Sequence, residues 1–322
     1  MKILVTGCAG FLGYHICDDI LNNFKKLTLV GIDNINNYYS QKIKKKRLQV
    51  LMKNKNFYFH KIDISKEEKI KKIFNRNKFD FVIHMAAQAG VRHALKDPES
   101  YLDSNIKGFL NLLDNLKKNK VKKFIFASSS SVYGDGKKFP LSEKSKLNPI
   151  NIYSSSKLLN ETVVKDYSNI SNIKFIGLRF FTIYGSYGRP DMFLFKLLNS
   201  IFNQKNFYLN NYGNHFRDFT HVDDVRIIIR KLIKKKIKKK FQIFNVCSNN
   251  PTSILKLINH VSKFTLINPK IIKIKRHNAD VLKTHGSNIK IKRYLGIKKF
   301  RNILNELPLI VKWYKDNKFY KL

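Results

Sequence analysis

Thr6-Gly7-Cys8-Ala9-Gly10-Phe11-Leu12-Gly13 narrows the folds open to this chain more than any other stretch. It joins an apolar strand, Ile3-Leu4-Val5, to a helical pattern running through Tyr14, Ile16 and Ile20-Leu21. Glycine at Gly7, Gly10 and Gly13 permits a tight turn and lets backbone N–H groups and a helix N-terminus approach a pyrophosphate. The amides of Phe11 and Leu12 belong to that cradle. A glycine triplet alone is weak, but this one follows a first strand and opens a helix. Asp33 then closes a second strand, twenty residues beyond Gly13. A carboxylate there hydrogen-bonds the ribose hydroxyls of NAD and repels the 2′-phosphate of NADP. Asn34 stands beside it, while Lys42 and Lys44 oppose the repulsion. The reading is a dinucleotide site that prefers NAD to NADP. Asp63-Ile64, after the third strand, is placed either for the adenine edge or as a helix cap before Ser65.

The strands continue at Leu27 to Ile32, Phe57-Tyr58-Phe59, Phe81-Val82-Ile83, Phe124 to Ala127 and Lys174 to Leu178. Helical patterns over Lys66 to Phe74, Ser100 to Leu116 and Tyr153 to Tyr167 lie between them. Such alternation predicts βαβ units and a parallel sheet. At 322 residues the chain exceeds the ~250–300 at which one core stops growing. The expected fold is α/β: a Rossmann-type doubly wound parallel sheet over residues 1–178, with a smaller C-terminal substrate-binding lobe over 179–322. Within that lobe a segment near 241–247 is expected to return to the sheet.

With 63 Lys+Arg against 22 Asp+Glu, the formal net charge is +41. A surplus of that size suits polyanion binding. The lysines, however, are spread along the whole chain and accompany Asn and Ile rather than Arg, Gly or interleaved aromatics. They read as a compositional bias, and no specific nucleic-acid partner is expected. The runs Lys44-Lys45-Lys46-Arg47 and Lys234-Lys235-Lys236-Ile237-Lys238-Lys239-Lys240 read as exposed loop or helix-end charges. No uncharged apolar run reaches ~18 residues, so membrane insertion is not expected. The N-terminal apolar run breaks at Gly7 and Asp18-Asp19 follow, unlike a signal peptide. Cys8, Cys17 and Cys247 are few, odd in number and without metal-ligand spacing. They suit a reducing, cytoplasmic setting with neither a disulfide framework nor a metal site.

A second cluster carries chemistry. Ala127-Ser128-Ser129-Ser130-Ser131-Val132-Tyr133-Gly134 ends the fifth strand in four hydroxyls, where an open parallel sheet places its ligand crevice. Tyr153-Ser154-Ser155-Ser156-Lys157 follows, and the i, i+4 spacing sets Tyr153 and Lys157 on one helical face. The pair alone says little in so lysine-rich a chain, since Tyr38/Lys42, Tyr133/Lys137, Tyr294/Lys298 and Tyr314/Lys318 share the spacing. Only Tyr153/Lys157 follows the serines and opens a helix. A phenol of pKa about 10 is a poor base at neutral pH, and a nearby ammonium favours its phenolate. A base works best when its pKa lies near the working pH.

The glycine spacing, His84-Met85-Ala86-Ala87, the serine run and Tyr153/Lys157 together resemble the extended short-chain dehydrogenase/reductase family, the NAD-dependent epimerases and dehydratases. More narrowly, the chain is similar to bacterial UDP-glucuronate 4-epimerases of capsule and lipopolysaccharide pathways. The matching segments are Gly31 to Tyr39, Ala86-Ala87-Gln88-Ala89-Gly90-Val91-Arg92, Asp103-Ser104-Asn105, Arg179 to Gly185, Gly188-Arg189-Pro190-Asp191-Met192 and Arg217-Asp218-Phe219-Thr220. Leu295-Gly296 and Trp313-Tyr314 extend the likeness to nearly the whole chain.

The resemblance implies roles. Ala86, Ala87 and Asn105 would line the cofactor site with the glycine turn. Tyr153 would take the proton of the sugar's 4-hydroxyl while C4 gives hydride to NAD. Lys157 would tune the tyrosine and hold the nicotinamide ribose, and Ser129 would hydrogen-bond the same sugar oxygen. The 4-keto sugar would turn over and take the hydride back on its other face, so NAD stays bound. Related dehydratases carry Asp-Glu at the positions of Ser130 and Ser131, and decarboxylases an acid at Ser131. UDP-glucose 4-epimerases usually have Asn in place of Thr182. The resemblance therefore implies conversion of UDP-glucuronate to UDP-galacturonate, with Ser130, Ser131 and Thr182, and Arg189 close by, receiving the carboxylate. Arg217 would face the UDP phosphates, as would Arg276 unless it is a surface charge. The alternatives are epimerisation of UDP-glucose or a UDP-N-acetylhexosamine, and a non-catalytic NAD-binding regulator. A homodimer is the family expectation. Departures lie on the uridine side: Ala279-Asp280-Val281 replaces Gly-Asp-Val, Lys283 and Ser287 replace acids, and His221 replaces a common Tyr.

Overall fold

A computed structural model describes residues 1–277, 280–317 and 320; Ala279 and Lys318 of the sequence reading lie outside them. The strands are β1 (Lys2–Thr6), β2 (Thr28–Asp33), β3 (Phe57–Lys61), β4 (Phe81–His84), β5 (Lys123–Ser129), β6 (Lys174–Phe180), β7 (Thr182–Tyr184), β8 (Asn206–Asn210), β9 (Phe216–His221), β10 (Phe241–Val246), β11 (Pro251–Ser253) and β12 (Lys270–Ile274). The helices are α1 (Phe11–Asn23), α2 (Gln41–Leu51), α3 (Glu67–Asn75), α4 (Pro98–Tyr101), α5 (Gly108–Lys118), α6 (Ile152–Asn169), α7 (Phe193–Phe202), α8 (Val222–Lys234), α9 (Ile254–Thr265), α10 (Ile289–Leu295) and α11 (Ile303–Asp316). A π-helical segment, Leu102–Lys107, joins α4 to α5.

Seven strands form one all-parallel sheet in the order β10-β6-β5-β4-β1-β2-β3. Ile3, Leu4 and Val5 of β1 have no exposed surface, as a central strand covered on both faces requires. One face packs on α1 and α8 through Ile16, Ile20, Ile228 and Leu232. The other packs on α3 and α5 through Ile70, Phe74, Phe109 and Leu112. The order reverses between β1 and β4, which opens a crevice at the carboxyl ends of those strands. This is the Rossmann-type architecture expected.

A second core gathers α7, α9 and α11 around Leu197, Leu257, Leu307 and Tyr314. Two small sheets, β11-β9-β7 and β12-β8, adjoin it. Residues beyond 179 divide between the two cores, because α8, β10 and α10 pack with the main sheet. Among the described residues no helix is long and apolar enough to cross a membrane.

One expectation needs correction. Lys44-Lys45-Lys46-Arg47 is neither a loop nor uniformly exposed: it lies within α2, where Lys44 is 5% and Arg47 0% exposed. Residues 43, 44, 47, 48 and 51 share the inward face of that helix. The two inward charges found polar partners inside, which a local charge count does not reveal.

Candidate active site

The cofactor side is shaped by backbone. Gly7 sits at φ +71°, and a Cβ there would lie 2.7 Å from the amide nitrogen of Ala86. A Cβ on Gly13 would lie 2.0 Å from the carbonyl oxygen of Gly7. The turn thus closes on itself and on the end of β4. Gly10 starts α1 and no side chain caps that helix, so its first amides, at Phe11 and Leu12, remain for an anion. Asp33 braces the turn: its Oδ2 accepts from the Ala9 amide at 3.1 Å and its Oδ1 from Ile35 at 2.8 Å. Burial raises the Asp33 pKa, against the pull of those amides and of Lys44. Lys44 itself donates from Nζ to the Asn36 carbonyl at 2.8 Å, and burial pushes it down to about 8.

The other predicted cofactor residues form a second layer. Asn34 donates to Asp63 Oδ2 at 2.9 Å, while Asp63 Oδ1 accepts from the Ser65 amide and hydroxyl at 2.9 and 2.8 Å. Burial works against the charge on Asp63, but these bonds hold its pKa below the usual range. The Asp63 carboxylate thus braces Asn34 and Ser65, and it does not cap α3, whose N-cap is Lys66 with no side-chain cap. Ile64 is buried against α5, where a Cβ on Gly108 would meet its side chain at 2.5 Å. Ala86 donates its amide to Thr6 Oγ1 at 3.2 Å, and Ala87 follows it in the loop after β4. Asn105, wholly buried in the π-helical segment, accepts from the Gln88 amide at 2.8 Å. It donates to the Gln88 carbonyl at 3.0 Å and to Ser156 Oγ at 3.1 Å, tying this loop to α6. A cradle that any Cβ would fill, an uncapped helix start and a carboxylate at the end of β2 fit NAD.

The four serines part company. Ser128 donates into the core to Glu161, which is paired with Arg179 at 2.6 Å. Ser129 turns the other way, as alternation along a strand demands. Its Oγ accepts from the Ser131 amide at 3.2 Å and hydroxyl at 2.8 Å. Burial raises the Tyr153 pKa, while Ser129 and the charge of Arg189 draw it down. Lys157 Nζ donates to the Ala127 carbonyl at 3.0 Å, and burial pushes its pKa down to about 8. A reciprocal cap between Asn151 and Ser154 fixes the start of α6 and hence the placing of Tyr153. The rival Tyr133 is committed elsewhere, donating to Asn245 at 2.7 Å and accepting from Arg179 at 2.8 Å.

Ser130, Ser131 and Thr182 are half-buried, with Thr182 opening β7 beside Phe219 of β9. Arg189 donates from Nε to Asp191 at 3.0 Å and lies 5.4 Å from the centre of the Tyr38 ring. Tyr38 donates to the same Asp191 at 3.1 Å. Arg217 donates to the carbonyls of Phe216, Val281 and Leu282, and burial pushes its pKa down to about 10, still a cation at neutral pH. Arg276 donates to the Asp280 carbonyl at 3.1 Å and to Asp135 at 3.3 Å. Arg92, from the loop after β4, pairs with Asp280 and completes the group. In the sequence Arg92 stands out only as part of the segment Ala86 to Arg92, and its place after β4 is the signal that marks it.

Residues 3–247 match the model of the NAD dependent epimerase/dehydratase family. The chain belongs to that family. It is 36% identical to a UDP-glucuronate 4-epimerase of Thermodesulfobacterium geofontis, over 98% of this chain and 96% of that one. A solved UDP-glucuronic acid 4-epimerase of Bacillus cereus, in complex with UDP-glucuronic acid and NAD, superposes with a TM-score of 0.93. It is 30% identical and covers 98% of this chain and 99% of its own. A UDP-glucose 4-epimerase of Thermotoga maritima, solved with UDP-glucose, gives a TM-score of 0.89 at 27% identity, covering 98% and 99%.

Proposed function

We propose that this NAD-dependent epimerase interconverts UDP-glucuronate and UDP-galacturonate by inverting C4. One observation carries the choice of sugar. Ser130 and Ser131 stand as half-buried hydroxyls directly after Ser129, where an acid would repel a uronate. The likeness to the Thermodesulfobacterium and Bacillus enzymes supports it.

Tyr153 is the proton acceptor for the 4-hydroxyl. Its buried phenol needs help to ionise, which Ser129 and the charge of Arg189 supply, with the Lys157 ammonium one helical turn on as a further cation. Because Ser129 Oγ already accepts two bonds from Ser131, its own O–H is left to donate to the sugar oxygen or to Tyr153. The glycine turn and Asp33 would hold NAD, which would supply the acceptor and donor of the C4 hydride. Lys157, anchored on Ala127, is placed to hold the cofactor's ribose. Ser130, Ser131 and Thr182 receive the carboxylate, with Arg189 beside them. Fixing that group matters because a 4-keto uronate is a β-keto acid, prone to lose CO2. Arg92, Arg217 and Arg276 face the diphosphate.

The sugar nucleotide would sit against the smaller lobe built on α7, α9 and α11. Leu102, Ile150, Ile152 and Leu159 are exposed where the π-helical segment runs beside α6, an apolar patch that suits a homodimer. Cys8, Cys17 and Cys247 are free and buried, which suits a reducing cytoplasm.

NMR of the products from UDP-glucuronate tests the reading, with the bound nucleotide identified after denaturation. UDP-galacturonate and NAD are expected. Conversion of UDP-glucose but not of UDP-glucuronate would replace the substrate, and no turnover of either sugar would leave a non-catalytic NAD protein.

A further inference from the structure

Arg47 and Arg179 are the buried arginines of the described residues, at 0% and 4% exposure. Arg179 has Glu161 as its counter-ion. Among the described residues Arg47 has none. From α2 its Nη1 donates to the Ala9 carbonyl at 2.9 Å and to the Tyr39 hydroxyl at 2.6 Å. Its Nη2 donates to the carbonyls of Tyr187 at 2.7 Å and Gly188 at 3.3 Å, and to the Tyr320 hydroxyl at 2.9 Å. Nε is buried without a partner. A buried cation held only by neutral groups is costly, and an apolar side chain would fill the space at less expense. What the charge holds is therefore informative.

It holds two loops. Ala9 belongs to the glycine turn, and Tyr187-Gly188 immediately precedes Arg189. Tyr187 takes φ +54°, a left-handed conformation that a bulky aromatic residue does not adopt unaided. The fork of Arg47 grips the carbonyl of that residue and of the next. Tyr320 doubles the grip by donating to the Gly188 carbonyl at 3.0 Å. His15, on α1, donates to the Ser186 carbonyl at 2.8 Å and ties the same loop to the helix that follows the turn.

We infer that Arg47 is a positioning residue that locks the cofactor turn and the Arg189 loop into one fixed relation, so that the sites for cofactor and sugar are set together. The sugar half of this inference rests on the function proposed above. A lysine carries the same charge but not the planar fork that bridges both loops.

The test compares wild type, Arg47→Lys and Tyr320→Phe. NAD per chain is measured after denaturation, with KM and kcat for UDP-glucuronate and the melting temperature. Arg47→Lys is expected to lose bound NAD severalfold and to raise KM about tenfold, with kcat per loaded site changed far less. Wild-type NAD content and KM with only a lowered melting temperature would mean a merely structural arginine and would overturn the inference. Should Arg47→Lys fail to fold, Tyr320→Phe decides. It removes one partner of the fork and one bond to Gly188, and should raise KM about fivefold with NAD retained; an unchanged KM overturns the inference. If wild type does not turn over UDP-glucuronate, the substrate reading fails instead. The NAD content of Arg47→Lys then still decides whether Arg47 sets the turn.

Discussion

The site for the cofactor's diphosphate and the one proposed for the anionic groups of the sugar nucleotide are prepared in opposite ways. On the cofactor side the anion site is backbone, a turn so tight that a Cβ on Gly13 would lie 2.0 Å from a carbonyl oxygen. Amides and a helix dipole supply the positive potential, and nothing has to move to present them. On the sugar side the positive charge sits on long side chains, three of which the protein's own carboxylates already engage: Arg189 by Asp191, Arg92 by Asp280 and Arg276 by Asp135. A ligand there exchanges one set of ion pairs for another, so its gain is a difference between two similar terms. The first arrangement suits a cofactor that stays and the second a substrate that leaves.

The largest effect should come from the rigid side. Gly13→Ala cannot fit its methyl group, so bound NAD and activity should disappear together. Normal NAD content in that variant would show that the turn yields as readily as the arginines. Tyr153→Phe stands between the two regions; turnover should drop about 10³-fold with NAD content and melting temperature kept. A drop in NAD content instead would make Tyr153 part of the cofactor site alone.

A smaller effect concerns pH. Lys157 is an ammonium below its pKa of about 8 and neutral above it, so the support proposed for the Tyr153 phenolate should fade as pH rises through that value. A kcat/KM profile should fall on the alkaline side in wild type. Arg47 and the loops untouched, Lys157→Arg should be slower but lack that fall, since arginine stays charged. An identical alkaline limb in both proteins would assign it to another group. The smallest effect belongs to the exchangeable side. Asp191→Asn removes the internal competitor for Arg189, and KM for UDP-glucuronate should fall about threefold, a partly exposed pair being worth little. A raised KM would mean that Asp191 aims Arg189 rather than competing for it.

Much of this was legible in the chain because some constraints are local. A glycine turn between a strand and a helix, an acid at the end of β2 and a tyrosine one helical turn before a lysine depend on neighbours within a few residues. Strand alternation also implies that Ser128 and Ser129 point to opposite faces, though not which of them meets Glu161. The misreading of Lys44 and Arg47 has the same origin in reverse. Lys44 bonds Asn36, eight residues off, but the partners of Arg47 include Ala9, Tyr187 and Tyr320, as much as 273 residues away, and a run of four charges looks solvated until the fold brings such partners in.

The sequence by itself determined the parallel sheet, the dinucleotide turn and the placing of Tyr153 and Lys157 on one helical face, since backbone sterics and helix geometry act at short range. Only the tertiary structure decided which charges are buried, which arginines already hold a carboxylate, and how the glycine turn is fastened to the Arg189 loop. Burial and ion pairing are set by whatever the fold brings into contact, and no local pattern records that.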